Sequence, residues 1–228
     1  MKKIYLIASL LVFSFMQKGF AYEEISKMAN IPTSYIHNIQ KEKTNIEKYE
    51  TPKEYQKVSA EPAIWEALDC LKGTLGDFSR NAIIGQNITN RPIKVEFLEL
   101  GTIKPMYQNY DALGIKKKNQ LYIYINQKHK NAPKEALAAL LSHEALHQDE
   151  YNSLNEETYA WTMEAKVWGE LSRKNPAAAK VSSSLVDREN TLTKMLNNAN
   201  QSNILIRNTV VNHPGYKSLP TKSPGFEM

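Results

Sequence analysis

A single cysteine, Cys70, stands in a chain of 228 residues. One thiol cannot close an internal disulfide, so stability has to come from a packed core or a bound metal. Its setting, EPAIWEALDCLKG, is helix-like, which makes Cys70 a small buried apolar residue. Charge of one sign is also scarce: 29 Lys and Arg stand against 24 Asp and Glu, a net of +5. No stretch reaches the roughly 20 apolar residues that span a bilayer. The apolar run from Ile4 to Met16 has 13 residues, follows Lys2 and Lys3, and leads to Gly19-Phe20-Ala21. That order is the signature of a secretory signal peptide, with cleavage expected after Ala21. No cysteine follows closely to carry a lipid. Losing Lys2, Lys3 and Lys18 with no acid takes the net charge from +5 to +2. So small a balance gives no argument for nucleic acid as a partner. The expectation is an exported protein, periplasmic or secreted, with no stable membrane anchor once the signal is cut. There is no internal repeat.

Residues 22–58 are polar, rich in lysine and glutamate, and read as an exposed or loosely packed extension with one short helix. A folded domain is expected over 59–200, and a tail over 201–228, with Pro214, Pro220 and Pro224, reads as extended or disordered. Within the domain, Pro62 fits a first helical turn, Ile64, Trp65, Leu68 and Leu71 recur at helical spacing, and Gly73 ends the pattern. Ile93, Val95 and Phe97 alternate with Lys94 and Glu96, as in a half-buried strand. After a loop containing Gly114 and KKKN, QLYIYIN gives a second strand, with Leu121, Ile123 and Ile125 on one face. The flanking lysines read as solvated charges that discourage edge pairing. Helices are expected over 131–150, over 156–175 and over 181–199. Two strands among helices imply an α+β domain with a small sheet.

The first of these three helices carries chemistry. In SHEALHQDE, His143 and His147 stand four apart, one helical turn, so both rings project from one face. Two neutral imidazoles so spaced can bind one Zn²⁺. Glu144 lies about 100° round the helix from His143. It would stand beside the metal, placed to take a proton from the attacking water and pass it to a leaving amine. The motif is thus ligand, general base, ligand. The bland alternative is a polar helix that happens to spell it.

HEALH preceded by a helix and two strands resembles the zincin metallopeptidases, over roughly residues 60–172 by layout. The resemblance implies a minimal zincin-like domain in which a small sheet packs against the HExxH helix and a following glutamate-bearing helix. It also implies a peptide substrate held in extended form along the strand over 119–126. A metzincin would place glycine and then histidine or aspartate where this chain has Glu150 and Ser153, so that subgroup is excluded. Glu157 followed by Ala160 resembles the Glu-x-x-Ala arrangement of some gluzincins, although only nine residues separate it from His147.

Three protein ligands and an open position make a catalytic zinc site. The third ligand stays open among Glu157, Glu164 and Glu156. If 134–150 and 156–172 form an antiparallel hairpin, residue 161 faces the midpoint of the two histidines, and Glu157 and Glu164 bracket it. Glu156 and Glu157 also suit a helix first turn through the helix dipole. Asp149 is a candidate to orient a histidine ring. Tyr159 and Tyr151 are candidate donors to an oxyanion. His37, His129 and His213 have no partner at ligand spacing and read as surface residues, while Trp161 and Trp168 read as core. The leading expectation is an exported zinc metallopeptidase. The alternative is a non-catalytic, zinc-stabilised module that binds a peptide or envelope partner, against which the intact Glu144 argues. A peptidase-like immunity or assembly factor with one cognate substrate is a third reading.

Overall fold

The computed structural model describes residues 52–224. The expected signal peptide, His37 and residues 22–51 of the extension lie outside the described residues, as do residues 225–228.

The first helix, α1 (Lys53–Val58), is short but anchored. Tyr55 is fully buried, and its hydroxyl bonds Arg80 Nε at 2.8 Å and Asp69 Oδ1 at 3.1 Å. The end of the expected loose extension is therefore part of the core. Helix α2 (Pro62–Leu71) buries Ile64, Ala67, Leu68 and Leu71, an i, i+3, i+4, i+7 stripe. Gly73, at φ +67°, turns the chain away beyond its end, a left-handed conformation that glycine takes without strain. A helix the periodicity did not suggest, α3 (Asp77–Ile84), follows between Gly76 and Gly85. It buries Ala82 and Ile83, and Ser79 Oγ donates to the Ser142 carbonyl at 2.9 Å.

Three strands make the sheet rather than two. β1 (Lys94–Leu98) pairs in parallel with β3 (Gln120–Asn126), and β2 (Ala112–Lys117) pairs antiparallel with β3, giving the order β1-β3-β2. β2 occupies the segment read as a loop. Its sequence, ALGIKK, has weak alternation, so the hairpin with β3 supplies the pairing; Lys118, at φ +55°, takes the tight turn. Lys117 Nζ lies over the rings of Tyr122 and Tyr124, at 5.5 and 5.2 Å from their centroids. The substrate strand expected at 119–126 is the central strand, with both edges paired, so it cannot accept a further strand. Among the described residues β2 has an unpaired edge.

Helix α4 (Lys134–Glu144) is buried from Glu135 through Glu144, on every face. Ala136, Ala138 and Ala139 keep it slim enough for α2 and α5 to pack closely on it. Helix α5 (Leu154–Lys174) starts at Ser153, whose Oγ accepts from the Glu156 amide at 3.2 Å. Helices α6 (Ser184–Asn198) and α7 (Ile204–Asn212) pack against α5 and form a second small core of Trp161, Ala165, Leu192, Leu196, Ile206 and Val210. Ile206 and Val210 are fully buried, so the expected disordered tail is in part a docked helix. The architecture is α+β, with seven α-helices and a three-stranded mixed sheet among the described residues. None of these helices is long and apolar enough to cross a membrane.

Candidate metal centre

α4 ends at Glu144, six residues short of the expected 150. Beyond it the chain tightens: Leu146 N bonds the His143 carbonyl at 3.0 Å and His147 N bonds the Glu144 carbonyl at 3.3 Å, both over three residues. This last turn still brings the rings together, with His143 Nε2 and His147 Nε2 3.3 Å apart.

Each ring is fixed from behind. His143 Nδ1 lies 2.9 Å from Glu164 Oε2, and His147 Nδ1 lies 2.9 Å from Glu156 Oε1. Each Nδ1 carries the proton and donates it to the carboxylate, so both Nε2 lone pairs point at a common position. At that separation the two nitrogens need either a shared proton or a metal ion between them. Glu157 completes the triangle: Oε2 is 3.8 Å from His143 Nε2, and Oε1 is 3.7 Å from His147 Nε2. Oε1 also accepts from Asn152 Nδ2 at 2.6 Å, whereas Oε2 is buried with no hydrogen-bond partner. One ligand atom from each of His143, His147 and Glu157 lies within 4.8 Å of the others, and this group can hold a metal ion. Glu164 and Glu156, the alternative third ligands, sit behind the histidines and hold them.

The surrounding charges favour a cation. Burial raises the proton affinity of Glu157, but His147, His143, Asn152 and Tyr216 outweigh it and keep its carboxyl below the usual range. Burial works against a charge on His147, yet the bond to Glu156 and the nearby Glu157 and Glu144 carboxylates hold its imidazole up to about 9. Glu144, whose Oε1 is 3.9 Å from His143 Nε2, has its carboxyl raised, chiefly by burial. The same burial tends to raise Glu164, but Arg188 and His143 prevail and hold it well down. Arg188 Nη1 and Nη2 both donate to Glu164, the latter at 2.9 Å, and its Nε stands 3.5 Å from Asp111 Oδ2. Beside it, Glu189 has its carboxyl pushed well up by burial and by Glu164. Arg188 thus offsets one of four carboxylates around the histidines, and a divalent ion would offset two of the remaining three.

A cavity of 490 Å³ opens beside this group, lined in part by His143, Glu144, Trp161, Arg188, His213 and Tyr216. Gly114 of β2 approaches from the other element: a Cβ there would meet His147 Cβ at 3.3 Å and Glu144 Oε2 at 3.5 Å. Several expectations fail here. Asp149 is exposed and accepts from the Tyr151 amide at 2.8 Å in a local turn. Tyr151 and Tyr159 are 54% and 41% exposed, and neither lines the cavity. The phenol at the site is Tyr216, pushed well above its usual range by burial and by Glu157. His213 is no bystander, its ring lying 4.7 Å from that of Tyr216. His129 is buried, with Nε2 2.7 Å from Asp111 Oδ1. Arg188, Asp111, His213 and Tyr216 join the site from distant parts of the chain, and no local spacing marks them. No known family, curated protein or solved structure matches this chain.

Proposed function

We propose that the chain is a zinc-dependent metallopeptidase of gluzincin-like type, acting after export. The observation that carries this reading is the arrangement around HEALH. Two imidazoles converge, each is backed by a buried carboxylate, Glu157 offers an unpartnered oxygen, and Glu144 stands alongside. Tetrahedral zinc with bonds of about 2.0–2.1 Å to nitrogen sets its ligand atoms about 3.3–3.4 Å apart. The separation of the two Nε2 atoms, 3.3 Å, fits that edge, and each Nε2 has an oxygen of Glu157 within 3.8 Å. Two histidines and a carboxylate are a catalytic rather than a structural zinc set, since the fourth position stays open.

When bound, the ion supplies Lewis acidity, polarising a carbonyl and acidifying water. The chain's own residues do the rest. Glu144, with its proton affinity raised by burial, takes the proton of the attacking water and delivers it to the departing amine. Tyr216 keeps its phenolic proton and can donate to the oxygen that gains charge, the role expected of Tyr151 or Tyr159. An extended peptide would add to the unpaired edge of β2, next to Gly114, rather than to β3.

The test is a digest of casein and of a mixed peptide library by the zinc-loaded chain. New peptide termini should appear with wild type and fall at least about 10²-fold with Glu144→Gln, which keeps its metal. Equal cleavage by the two proteins, or none by zinc-loaded wild type over a broad library, would contradict the reading.

A further inference from the structure

The C-terminal segment returns to the metal centre from behind. After the turn at Pro214–Tyr216, the chain runs past the start of α5. There Leu154 N donates to the Pro220 carbonyl at 2.9 Å, and Asn155 N to the Thr221 carbonyl at 3.1 Å. These are first-turn amides, which a helix cannot satisfy by itself. The next amide, that of Glu156, goes to Ser153 Oγ. Two of the three caps of α5 are therefore supplied by the C-terminal segment, at the turn that carries both Glu156 and Glu157.

Ser223 takes the contact further. It is 5% exposed, and its Oγ lies 3.0 Å from Ser153 Oγ and 3.0 Å from Glu156 Oε2. Each hydroxyl has one proton. All partners are satisfied when Ser153 accepts from the Glu156 amide and donates to Ser223, and Ser223 donates to Glu156 Oε2. The other oxygen of Glu156 accepts from His147 Nδ1 at 2.9 Å. A continuous chain of hydrogen bonds thus runs from the C-terminal segment through Glu156 to His147.

We propose that Ser223 is a positioning residue for the metal, and that residues 220–223 form a latch that sets how tightly the ion is held; this rests on the metal reading above. Glu156 has one oxygen on His147 and needs a donor on the other to hold a single rotamer. Ser223 is that donor, and it comes from about 70 residues along the chain. Without it Glu156 is free to turn, His147 loses its fixed tautomer and direction, and the ion is bound more weakly. An exported protein built this way is sensitive to trimming at its C-terminal end without any change to its HEALH segment.

The experiment measures zinc affinity of the full chain by competition with a chromophoric chelator. It compares wild type, Ser223→Ala, Glu156→Ala, the double variant, and Ser218→Ala as an exposed control in the same segment. Far-ultraviolet circular dichroism of the metal-free proteins verifies folding. Ser223→Ala should weaken zinc binding about 10-fold, Ser218→Ala should not, and Ser223→Ala should add nothing in the Glu156→Ala background. Affinity within twofold of wild type for Ser223→Ala overturns the latch and leaves the metal site standing. So does a Ser223→Ala effect that adds in full to Glu156→Ala, because the residue would then act by another route. Absence of zinc from wild type overturns the metal reading itself, and the latch with it.

Discussion

Replacing Glu164 by glutamine separates holding a histidine from binding the ion. Glu164 is fully buried, with Oε2 2.9 Å from His143 Nδ1 and both oxygens taken by Arg188. Glutamine keeps the shape, but it loses the charge and turns an amide nitrogen towards one of two donors. Removing an outer carboxylate from a metal-binding histidine costs about 10- to 100-fold in affinity, or about 1.4–2.7 kcal/mol. Arg188 is also left undercompensated. Breaking a buried pair costs about 3–5 kcal/mol; the low end applies here because Asp111 remains 3.5 Å from Arg188 Nε. At roughly 2–4 °C per kcal/mol for a domain of this size, the metal-free variant should melt about 6–12 °C lower. The assays are chelator competition for zinc and thermal unfolding in excess chelator. Glu164→Gln should bind one ion weakly, whereas Glu157→Gln should lose it. Loss of the ion in Glu164→Gln with full retention in Glu157→Gln would refute the assignment of ligand and holder. Unchanged affinity in Glu164→Gln would refute its holding role.

Further predictions follow from other parts of the structure. Burial tends to raise the Asp111 carboxyl, but His129, Arg188 and Lys128 hold it well below its usual range. A carboxyl depressed by folding stabilises above its unfolded value of about 3.9, and that contribution is lost as pH falls through the folded value. Asp111→Asn should therefore be less stable than wild type to urea at pH 7, with the gap closing below about pH 4; a gap independent of pH would contradict the pairing. Gly114→Val crowds His147 and Glu144 and should cost about 1–3 kcal/mol in zinc binding, with Gly114→Ala milder, as isothermal titration would show. Trp168 is 1% exposed and bonds Asn190 Oδ1 at 3.0 Å. Trp168→Ala should destabilise the fold by about 3–5 kcal/mol in denaturant melts while leaving zinc stoichiometry unchanged.

What could be read from the sequence was what short-range periodicity encodes. HEALH marked its three residues because two imidazoles on one face need only one helical turn, and Glu157 was marked by its likeness to a Glu-x-x-Ala arrangement and by its place on the facing helix. Helix α2 and strands β1 and β3 were visible through their buried stripes. β2 was missed because its alternation is weak and its partner, β3, supplies the ladder; with it went the identity of the edge strand. α3 and α7 are short helices whose stability comes from docking, so propensity did not reveal them. The division of labour among Glu156, Glu157 and Glu164 depends on side-chain directions across a helical pair, which spacing narrows to three but does not resolve. Arg188, Tyr216 and Ser223 meet the site only through tertiary folding.

The most direct measurement is zinc per chain in the purified protein, by elemental analysis, after supply of zinc at neutral pH and removal of excess. One ion per chain is expected in wild type and in Glu144→Gln, and none in His147→Ala. Wild type with no zinc, or His147→Ala with as much zinc as wild type, would contradict the metal centre and leave SHEALHQDE as a polar, buried helix end.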